Sequence, residues 1–387
     1  MTPSPLPRGC EAAFPETEFA QRQARARAAL AAAGFEALVV TGPENIFWLT
    51  GRQTAGYFAF QALVLPLEGA PQLLVRLLEA PGAAANTFVP LTTWADGESP
   101  AGALAALLAR MGLTRPALER QGWFVSPDMI ARIEAAVGAG PLPDGSGLLE
   151  PLRMVKSAAE RAAIRTAAVS AEAGMRAALD TCRAGVSEND IAAAMLSAAT
   201  RAGSEAMAME PLVSSGPRSG LPHMTWRRRV LESGDPVFLE LAGSHARYHA
   251  ALMRSVWIGT PPAEARAMMD CALEALAAAL AAIRPGAPCS ASHDAAQAVI
   301  DAAGHTSAFG KRIGYSMGVA FAPDWGEGAV LSLFTGVETE LREGMVFHLP
   351  ATLRAFGTWT VGASETVIVT ATGCEPLSAL PRDIAVR

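Results

Sequence analysis

Hydrophobic and polar positions in the first third of the chain alternate between a helical and a strand spacing. Residues 19–33 carry Ala and Leu at helical spacing and end at Gly34, and the apolar run Ala37–Val40 follows as a predicted buried strand. The pattern therefore predicts an α/β domain at the N-terminus. Three more short apolar runs, separated by Pro and Gly, predict further strands: residues 46–49, 62–65 and 72–75.

A Pro- and Gly-rich segment, residues 141–147, interrupts this periodicity. Since 387 residues exceed what one ordinary hydrophobic core supports, we place a domain boundary there and predict domains over residues 1–148 and 149–387. The second domain opens with two predicted helices, residues 157–182 and 187–202. Ser157 and Glu160 have the spacing of a capping box, which favours a helix start at that point.

An apolar strand in the second domain carries one acidic residue at its centre. Residues 236–242 predict a strand, a turn is expected at residues 243–244, and residues 247–258 predict the returning strand of a hairpin. Burying the carboxylate of Glu240 in such a strand is costly unless it is paired or takes part in chemistry. Glu240 is therefore the first candidate site residue, and the structural alternative is an ion pair with Arg254.

Composition and charge exclude several classes of protein. Hydrophobic residues make up 51% of the chain and charged residues 18%, which is typical of a globular protein. A net charge of −6 with scattered Lys and Arg predicts no nucleic-acid partner. The five cysteines include no CxxC pair, which argues against a zinc knuckle or a disulfide framework and favours a reducing compartment.

Targeting and cofactor motifs are equally sparse. The N-terminal stretch is rich in Pro and acidic residues and does not resemble a secretion signal. The most apolar helical stretch, residues 272–283, is too short for a bilayer and contains Glu274, so we predict no membrane span and a cytoplasmic location. The Gly-rich run at residues 216–220 lacks the strand–loop–helix context of a phosphate loop, and we therefore predict no nucleotide cofactor.

Several segments together resemble one protein family in the order in which they occur. The chain is similar to the family of creatinase, aminopeptidase P, prolidase and methionine aminopeptidase. The resemblance implies an α/β N-terminal domain, an α+β pita-bread C-terminal domain, and a homodimer in which N-domain residues of one subunit close the pocket of the other. The segments that carry it are residues 41–51, 152–160, 234–241, 344–347 and 365–370.

The metal-binding pattern of that family is absent. Its metal-dependent members hold two divalent cations with Asp, Asp, His, Glu and Glu, because hard cations need several oxygen ligands. One remaining carboxylate does not suffice for a two-metal site, so we predict no metal and no other cofactor. The residues that align with the five ligands are Glu240, Ala251, Tyr315, Pro350 and Ser364.

Within the family, the chain most resembles ectoine hydrolase, which, like creatinase, hydrolyses a C–N bond without a metal. The resemblance implies a metal-independent hydrolase that acts on a small metabolite with an amidine, urea or cyclic amide group. Phe334 stands where these relatives have an arginine for the substrate carboxylate, so the resemblance does not extend to ectoine itself. The segments concerned are residues 239–243, 247–249, 312–327, 347–348 and 364–365.

The resemblance also suggests roles for individual side chains. Glu240 would act as nucleophile or general base, and His223 would exchange a proton with the leaving nitrogen. Tyr248 and His249 are neighbours on a strand and point to opposite faces, and we favour His249 as the pocket residue because it shares its face with residue 251. Glu365 completes the catalytic candidates. The substrate-binding candidates are Tyr315, Asp324, Trp325, Glu327 and His348, with Arg52, Tyr57 and Phe58 from the N-terminal domain.

Two other functions remain compatible with the sequence. One is a metal-dependent Xaa-Pro aminopeptidase or dipeptidase whose ligands are rearranged. The other is a non-catalytic member that kept the fold and binds a small molecule. The polar residues retained around Glu240 favour an enzyme over the second alternative.

Overall fold

The computed structural model describes residues 6–387. Residues 1–5, part of the N-terminal stretch considered above for a secretion signal, lie outside the described residues. The chain forms two compact units that divide between Arg153 and Met154. The sequence placed this boundary at residues 148 and 149. Within residues 6–387, no helix combines the length and the apolar character needed to cross a membrane.

The first unit is a mixed five-stranded sheet with helices. The strand order is β4-β3-β2-β1-β5, with β1 parallel to β5, β3 parallel to β4 and the other pairs antiparallel. Apolar side chains of β1, β2 and β3 pack against α4 and α5 to form its core. The elements are α1 Glu16–Ala32, β1 Ala37–Val40, α2 Pro43–Thr50, β2 Ala62–Pro66, β3 Gln72–Arg76, α3 Ala80–Asn86, β4 Leu91–Trp94, α4 Pro100–Arg110, β5 Ala117–Leu118, α5 Pro127–Val137 and α6 Glu150–Arg153.

The prediction of a strand over residues 46–49 is wrong, because these residues lie in helix α2. Pro43 occupies the first turn of this helix, where its missing N–H costs nothing, and Gly51 ends it in a left-handed conformation with φ of 80°. Seven of its eight residues are buried, so the apolar run reflects burial on all sides and not the alternation of a strand.

The second unit contains two sheets and four long helices. One sheet has the order β10-β9-β11-β12-β13 and the other β14-β8-β7-β6, and only the β14–β8 pair is parallel. The elements are α7 Ala158–Thr181, α8 Glu188–Arg201, β6 Leu212–Ser215, β7 Pro236–His245, β8 Tyr248–Trp257, α9 Ala263–Ala282, α10 Cys289–Ala302, β9 Gly314–Ser316, β10 Ser332–Leu333, β11 Val346–Ala355, β12 Trp359–Val369, β13 Cys374–Pro376 and β14 Ala385–Val386.

Both predicted helices at the start of this unit are confirmed. The side chain of Ser157 accepts a hydrogen bond from the backbone N–H of Glu160, and the side chain of Glu160 accepts one from the backbone N–H of Ser157. The predicted capping box is therefore present. The predicted hairpin is also present, but its turn lies at Ala246 and Arg247, which adopt positive φ values of 48° and 62°. A two-residue turn with both φ values positive matches the twist of the strands that it joins.

Each sheet of the second unit packs its apolar face against a pair of helices. Leu239 and Leu241 of β7 pack with α7 and α8, while Leu349 and Leu353 of β11 pack with α9 and α10. Because side chains alternate along a strand, the intervening residues of β7 and β11 point to the opposite faces. This is the pita-bread arrangement that the family resemblance implies, and the predicted two-domain fold class is confirmed.

Candidate active site

The two sheets of the second unit are joined where side chains of β12 bind the backbone of β8. The N–H of Met253 donates to Ser364 Oγ at 2.7 Å, and the N–H of Ala251 donates to Thr366 Oγ1 at 2.9 Å. Met253 stands opposite Glu240 in the β7–β8 pair, and Ser364 stands opposite Pro350 in the β11–β12 pair. The junction therefore brings Glu240 close to the middle of β11.

Glu240 is a buried carboxylate without a direct partner. Its relative exposure is 6%, and among residues 6–387 no hydrogen bond or ion pair reaches its side chain. Burial raises the pKa of Glu240 to about 7, and the positive charges of Arg354 and Lys311 oppose that rise. A buried acid that titrates near neutrality and lacks a structural partner has the properties of a catalytic base or nucleophile.

Arg254 is not the partner of Glu240, because it binds a different acid. Its guanidinium lies 2.9 Å from Glu365 Oε1, and Arg382 reaches the same oxygen at 3.0 Å. Glu365 neighbours Ser364 on β12 and therefore points to the opposite face of the sheet. The structure thus separates Glu365 from the face that carries Ser364 and holds it in a buried ion pair.

A hydrogen-bonded chain of four side chains replaces part of the family's metal-binding set. Trp325 Nε1 donates to the Tyr315 hydroxyl at 3.2 Å, that hydroxyl lies 2.9 Å from His348 Nδ1, and His348 Nε2 lies 2.6 Å from Ser364 Oγ. Burial lowers the pKa of His348 to about 3, so its ring is neutral. Burial and the charge of Glu240 raise the pKa of Tyr315, which keeps its hydroxyl protonated.

His249 lies on the same face of the sheet as Glu240, as expected, but both of its ring nitrogens bind the backbone. Nδ1 donates to the carbonyl of Arg247 at 3.0 Å, and Nε2 accepts from the N–H of Ala208 at 3.0 Å. Burial lowers its pKa to about 4. Tyr248, on the opposite face, donates to Glu160 at 2.7 Å. His249 therefore stabilises the hairpin and has no free nitrogen for proton transfer.

The loop after β9 contributes one exposed acid and one buried acid to the site. Asp324 is exposed, and it accepts a backbone N–H from Gly326 at 3.0 Å while its negative charge acts on Glu240. Glu327 is buried and forms an ion pair with Lys156 at 2.9 Å. Asp324 is thus available to a ligand, whereas Glu327 holds the loop in place.

His223 lies in an exposed loop with a φ of 55°, after a short 3₁₀ helix, Gly216–Gly220. A Cβ at Gly220 would stand 2.7 Å from the carbonyl oxygen of Ala355, so this segment packs closely against the end of β11. The loop with His223 therefore starts near the end of the strand that faces Glu240.

Two of the three substrate-binding candidates from the first unit contact other residues of that unit, and the third is exposed. Arg52 forms an ion pair with Glu79 at 2.9 Å, and the ring of Tyr57 packs edge-on against Phe124 with a centroid distance of 5.1 Å. Phe58 is 79% exposed. The resemblance implies that these residues close the pocket of the other subunit in a homodimer, and this role stays a prediction.

Sequence reasoning did not identify Lys311 and Arg354, although both act on Glu240. Lys311 precedes the motif that begins at Arg312, and Arg354 lies at the end of the apolar strand β11. The signal that singled out Glu240, a charged residue in an apolar strand, applies equally to Arg354. A lysine in a loop carries no comparable signal.

The residues at the family's ligand positions do not fit a two-cation site. Ala251 offers no donor atom, and the hydroxyls of Tyr315 and Ser364 are bound to His348. In the part of the chain from residue 6 onward, no three His, Cys, Asp or Glu side chains are grouped so that they could hold a metal ion. Glu240 is the one carboxylate at the five ligand positions, and a single carboxylate does not supply the several oxygen ligands that two divalent cations require.

Comparison with known proteins identifies the family. The uncharacterized hydrolase/peptidase y4tM of Sinorhizobium fredii is 30% identical, with 97% of this chain and 98% of the relative covered. Ectoine hydrolase of Halomonas elongata is 28% identical, with the same coverage. The crystal structure of dipeptidase PepE from Mycobacterium ulcerans superimposes with a TM-score of 0.82 at 27% identity and covers 96% of this chain and 99% of that one.

Two family models match consecutive parts of the chain. The Creatinase/Prolidase N-terminal domain matches residues 22–155, and Metallopeptidase family M24 matches residues 162–371. The resemblance to the creatinase, aminopeptidase P and prolidase family is thereby confirmed. The chain belongs to metallopeptidase family M24, as a hydrolase with a Creatinase/Prolidase N-terminal domain.

Proposed function

We propose that this protein hydrolyses a C–N bond in a small amidine-, urea- or cyclic-amide-containing metabolite without a metal ion. The observation that carries the proposal is the buried carboxylate of Glu240, which has no hydrogen-bond or ion-pair partner within residues 6–387. It lies at a junction whose other ligand positions hold Ala, Tyr, Pro and Ser. The similarity to ectoine hydrolase over 97% of the chain supports hydrolysis of such a C–N bond.

Two routes use Glu240 in its ionised form. As a nucleophile, its carboxylate adds to the electrophilic carbon, and the C–N bond breaks to leave that carbon bound to Glu240 Oε. Water then attacks the same carbon and frees Glu240, which releases an acid from an amide, an amide from an amidine or a carbamate from a urea. As a general base, it takes a proton from water, which attacks the same carbon. In both routes the leaving nitrogen needs a proton, and the exposed His223 is the proposed donor.

Tyr315 is suited to stabilise the developing charge on the attacked group. Its oxygen binds Trp325 and His348, and its pKa is raised, so a proton remains on the hydroxyl throughout the neutral range. In the tautomer that carries its proton on Nδ1, His348 donates to the Tyr315 oxygen and leaves the Tyr315 proton for a ligand. A fixed hydroxyl of this kind near the nucleophile is a prearranged donor that stabilises a tetrahedral intermediate.

Glu240→Gln tests the assignment directly. The purified protein is assayed against ectoine, simple cyclic amides, ureido acids and Xaa-Pro dipeptides, with and without a chelator. For whichever C–N substrate is turned over, we expect kcat/KM to fall by roughly 10²- to 10⁴-fold in the variant. Glu338→Gln, an exposed acid in the same domain, serves as the control and keeps full activity.

A metal-dependent dipeptidase is the competing function, because the similar solved structure from Mycobacterium ulcerans is a dipeptidase. It predicts cleavage of Xaa-Pro dipeptides that disappears with chelator and returns with Mn²⁺ or Co²⁺. That result, or normal turnover by Glu240→Gln, would overturn the proposal. A protein that binds members of the panel but cleaves none of them would favour the non-catalytic alternative.

A further inference from the structure

Two cationic side chains face Glu240, although a single carboxylate needs only one for neutrality. We propose that Arg354, assisted by Lys311, binds an anionic group of the substrate, a carboxylate, next to the Glu240 carboxyl group. The inference rests on the proposed function, to which it adds the side chains that select a carboxylate-bearing substrate. Its starting point is that both cations act on Glu240 electrostatically without contacting it.

Arg354 has unused hydrogen-bonding capacity. Among residues 6–387, its side chain makes one long hydrogen bond, from Nη1 to Thr352 Oγ1 at 3.5 Å, and its Nε is buried without a hydrogen-bond partner. A buried guanidinium donor without an acceptor is costly. The planar fork of an arginine pairs best with a group that offers two oxygens, and a carboxylate is such a group.

Lys311 stands beside the same strand. Its Nζ donates to the carbonyl of Pro350, four residues before Arg354, and lies 5.1 Å from the ring of Phe309. No ion pair among the described residues includes Lys311 or Arg354. Since an ammonium has three donors, the bond to Pro350 leaves others for a ligand.

The remaining charges nearby do not cancel the excess. Asp324 is exposed, so water screens its charge, and it already accepts an N–H from Gly326. Arg312 adds a further positive charge, donating to Ser332 Oγ at 3.0 Å and lying over the ring of Tyr315. An anionic substrate group would therefore complete the charge balance.

This arrangement compensates for the residue at position 334. Phe334 stands where the family resemblance places a carboxylate-binding arginine, and here its ring packs against His293 with a centroid distance of 4.8 Å. The positive charge that is missing at position 334 is supplied by residues 311 and 354. The anion would thus be held from β11 and from the loop before β9.

Binding to the full-length Glu240→Gln protein tests the subsite separately from catalysis. Calorimetric titrations compare N-acetylglycine with N-acetylglycinamide, and pyroglutamate with pyroglutamamide, so that the members of each pair differ at one group, an anionic carboxylate or a neutral amide. One charged hydrogen-bonded contact corresponds to roughly 10- to 100-fold in affinity, and we expect the acid of at least one pair to bind tighter by that factor.

Adding Arg354→Gln is expected to remove the preference, and Arg354→Lys to keep part of it. Arg342→Gln, an exposed arginine of the same domain, is the matched control and leaves the preference intact. Lys311→Met provides a second variant, with a partial loss expected, in case Arg354→Gln does not fold as judged by its thermal transition.

The subsite is overturned if neither acid is preferred over its amide, or if the preference survives in the Arg354→Gln, Lys311→Met double variant. Should the acids be preferred while the wild-type protein cleaves no member of the hydrolysis panel, the subsite stands and the proposed function fails. Turnover of uncharged substrates as efficient as that of matched acids would instead leave the proposed function in place and remove the subsite.

Discussion

Glu240 is a buried acid and Lys311 a half-buried base, and the pKa values of both lie near 7. Burial raises the pKa of Glu240 and lowers that of Lys311, and the charge of each partly offsets the shift of the other. If Glu240 acts as an ionised carboxylate, kcat/KM rises with pH as it loses its proton, with a midpoint at about 7.

Lys311→Met should move that midpoint upward, because it removes a positive charge that favours the carboxylate. We expect a shift of about one pH unit, so that activity falls at pH 7 and recovers in alkaline buffer. A pH profile of kcat/KM measures it, and Lys311→Arg, which keeps a charge, is the control. Arg354 still acts on Glu240 in the variant, so the shift stays partial. A midpoint that keeps its original value or moves downward would show that Lys311 does not affect the pKa of Glu240.

Glu365 and Glu327 show where sequence reasoning about individual residues reaches its limit. Both are buried acids, like Glu240, but Glu365 pairs with Arg254 and Glu327 pairs with Lys156. The partners lie 111 and 171 residues away in the chain, so no local pattern reveals them. Glu240 was identifiable because a charge in an apolar strand is visible in the sequence. Only the fold shows that, of these three acids, Glu240 is the one without a partner among residues 6–387.

At the scale of elements, the helices were predictable wherever caps and breakers agree with hydrophobic spacing. The capping box at Ser157 marks the start of α7. Helix α2 was predicted as a strand because nearly all of its residues are buried, so its apolar residues show no helical spacing. The hairpin turn was misplaced because Gly243 looks like a turn residue. It is instead a point of close approach, where an added Cβ would stand 2.7 Å from the backbone nitrogen of Ala171 in α7.

The packing of α7 on β7 gives a prediction that also concerns the position of Glu240. A Cβ at Gly174 would lie 2.6 Å from Leu241 Cδ1 and 3.0 Å from the carbonyl oxygen of Met195. Gly174→Ala gains up to about 1 kcal/mol of helix propensity but incurs an overpacking cost of roughly 1–3 kcal/mol. We expect net destabilisation, with reduced turnover because Leu241 is adjacent to Glu240.

Gly102 in α4 provides the matched control for that substitution. A Cβ there would meet only Ser99, at 3.4 Å, which is an ordinary contact. Gly102→Ala should therefore raise stability by a few tenths of a kcal/mol, up to about 1. Denaturant unfolding of both variants measures the difference, and equal effects at the two positions would contradict the packing argument.

At the scale of the whole molecule, each of the two units has its own apolar core, and the family models divide the chain in nearly the same place. Length and the Pro- and Gly-rich linker were enough to predict two domains. The junction between the two sheets was not predictable, because side chains such as Ser364 form it by binding backbone groups across strands that are distant in sequence.

Two cores predict that the full-length protein unfolds in two calorimetric transitions, which point variants should move separately. Glu119, in the first unit, accepts the N–H groups of Thr41 and Gly42 at 2.7 and 2.6 Å, so Glu119→Ala leaves buried donors unpaired and costs about 3 kcal/mol. Glu365→Ala leaves Arg254 buried without its acid and costs roughly 3–5 kcal/mol in the second unit.

Each variant should lower one transition and leave the other within the error of the wild type. Glu375→Gln is the control for the loss of an acid, because Glu375 pairs with Arg165 at the surface, where an ion pair contributes about 0–1 kcal/mol. If both transitions fell together in either variant, the units would unfold as one cooperative body despite their separate cores. Loss of the Arg254 partner would then lower the stability of both units. The division between Arg153 and Met154 would separate two compact units in the structure that do not unfold independently.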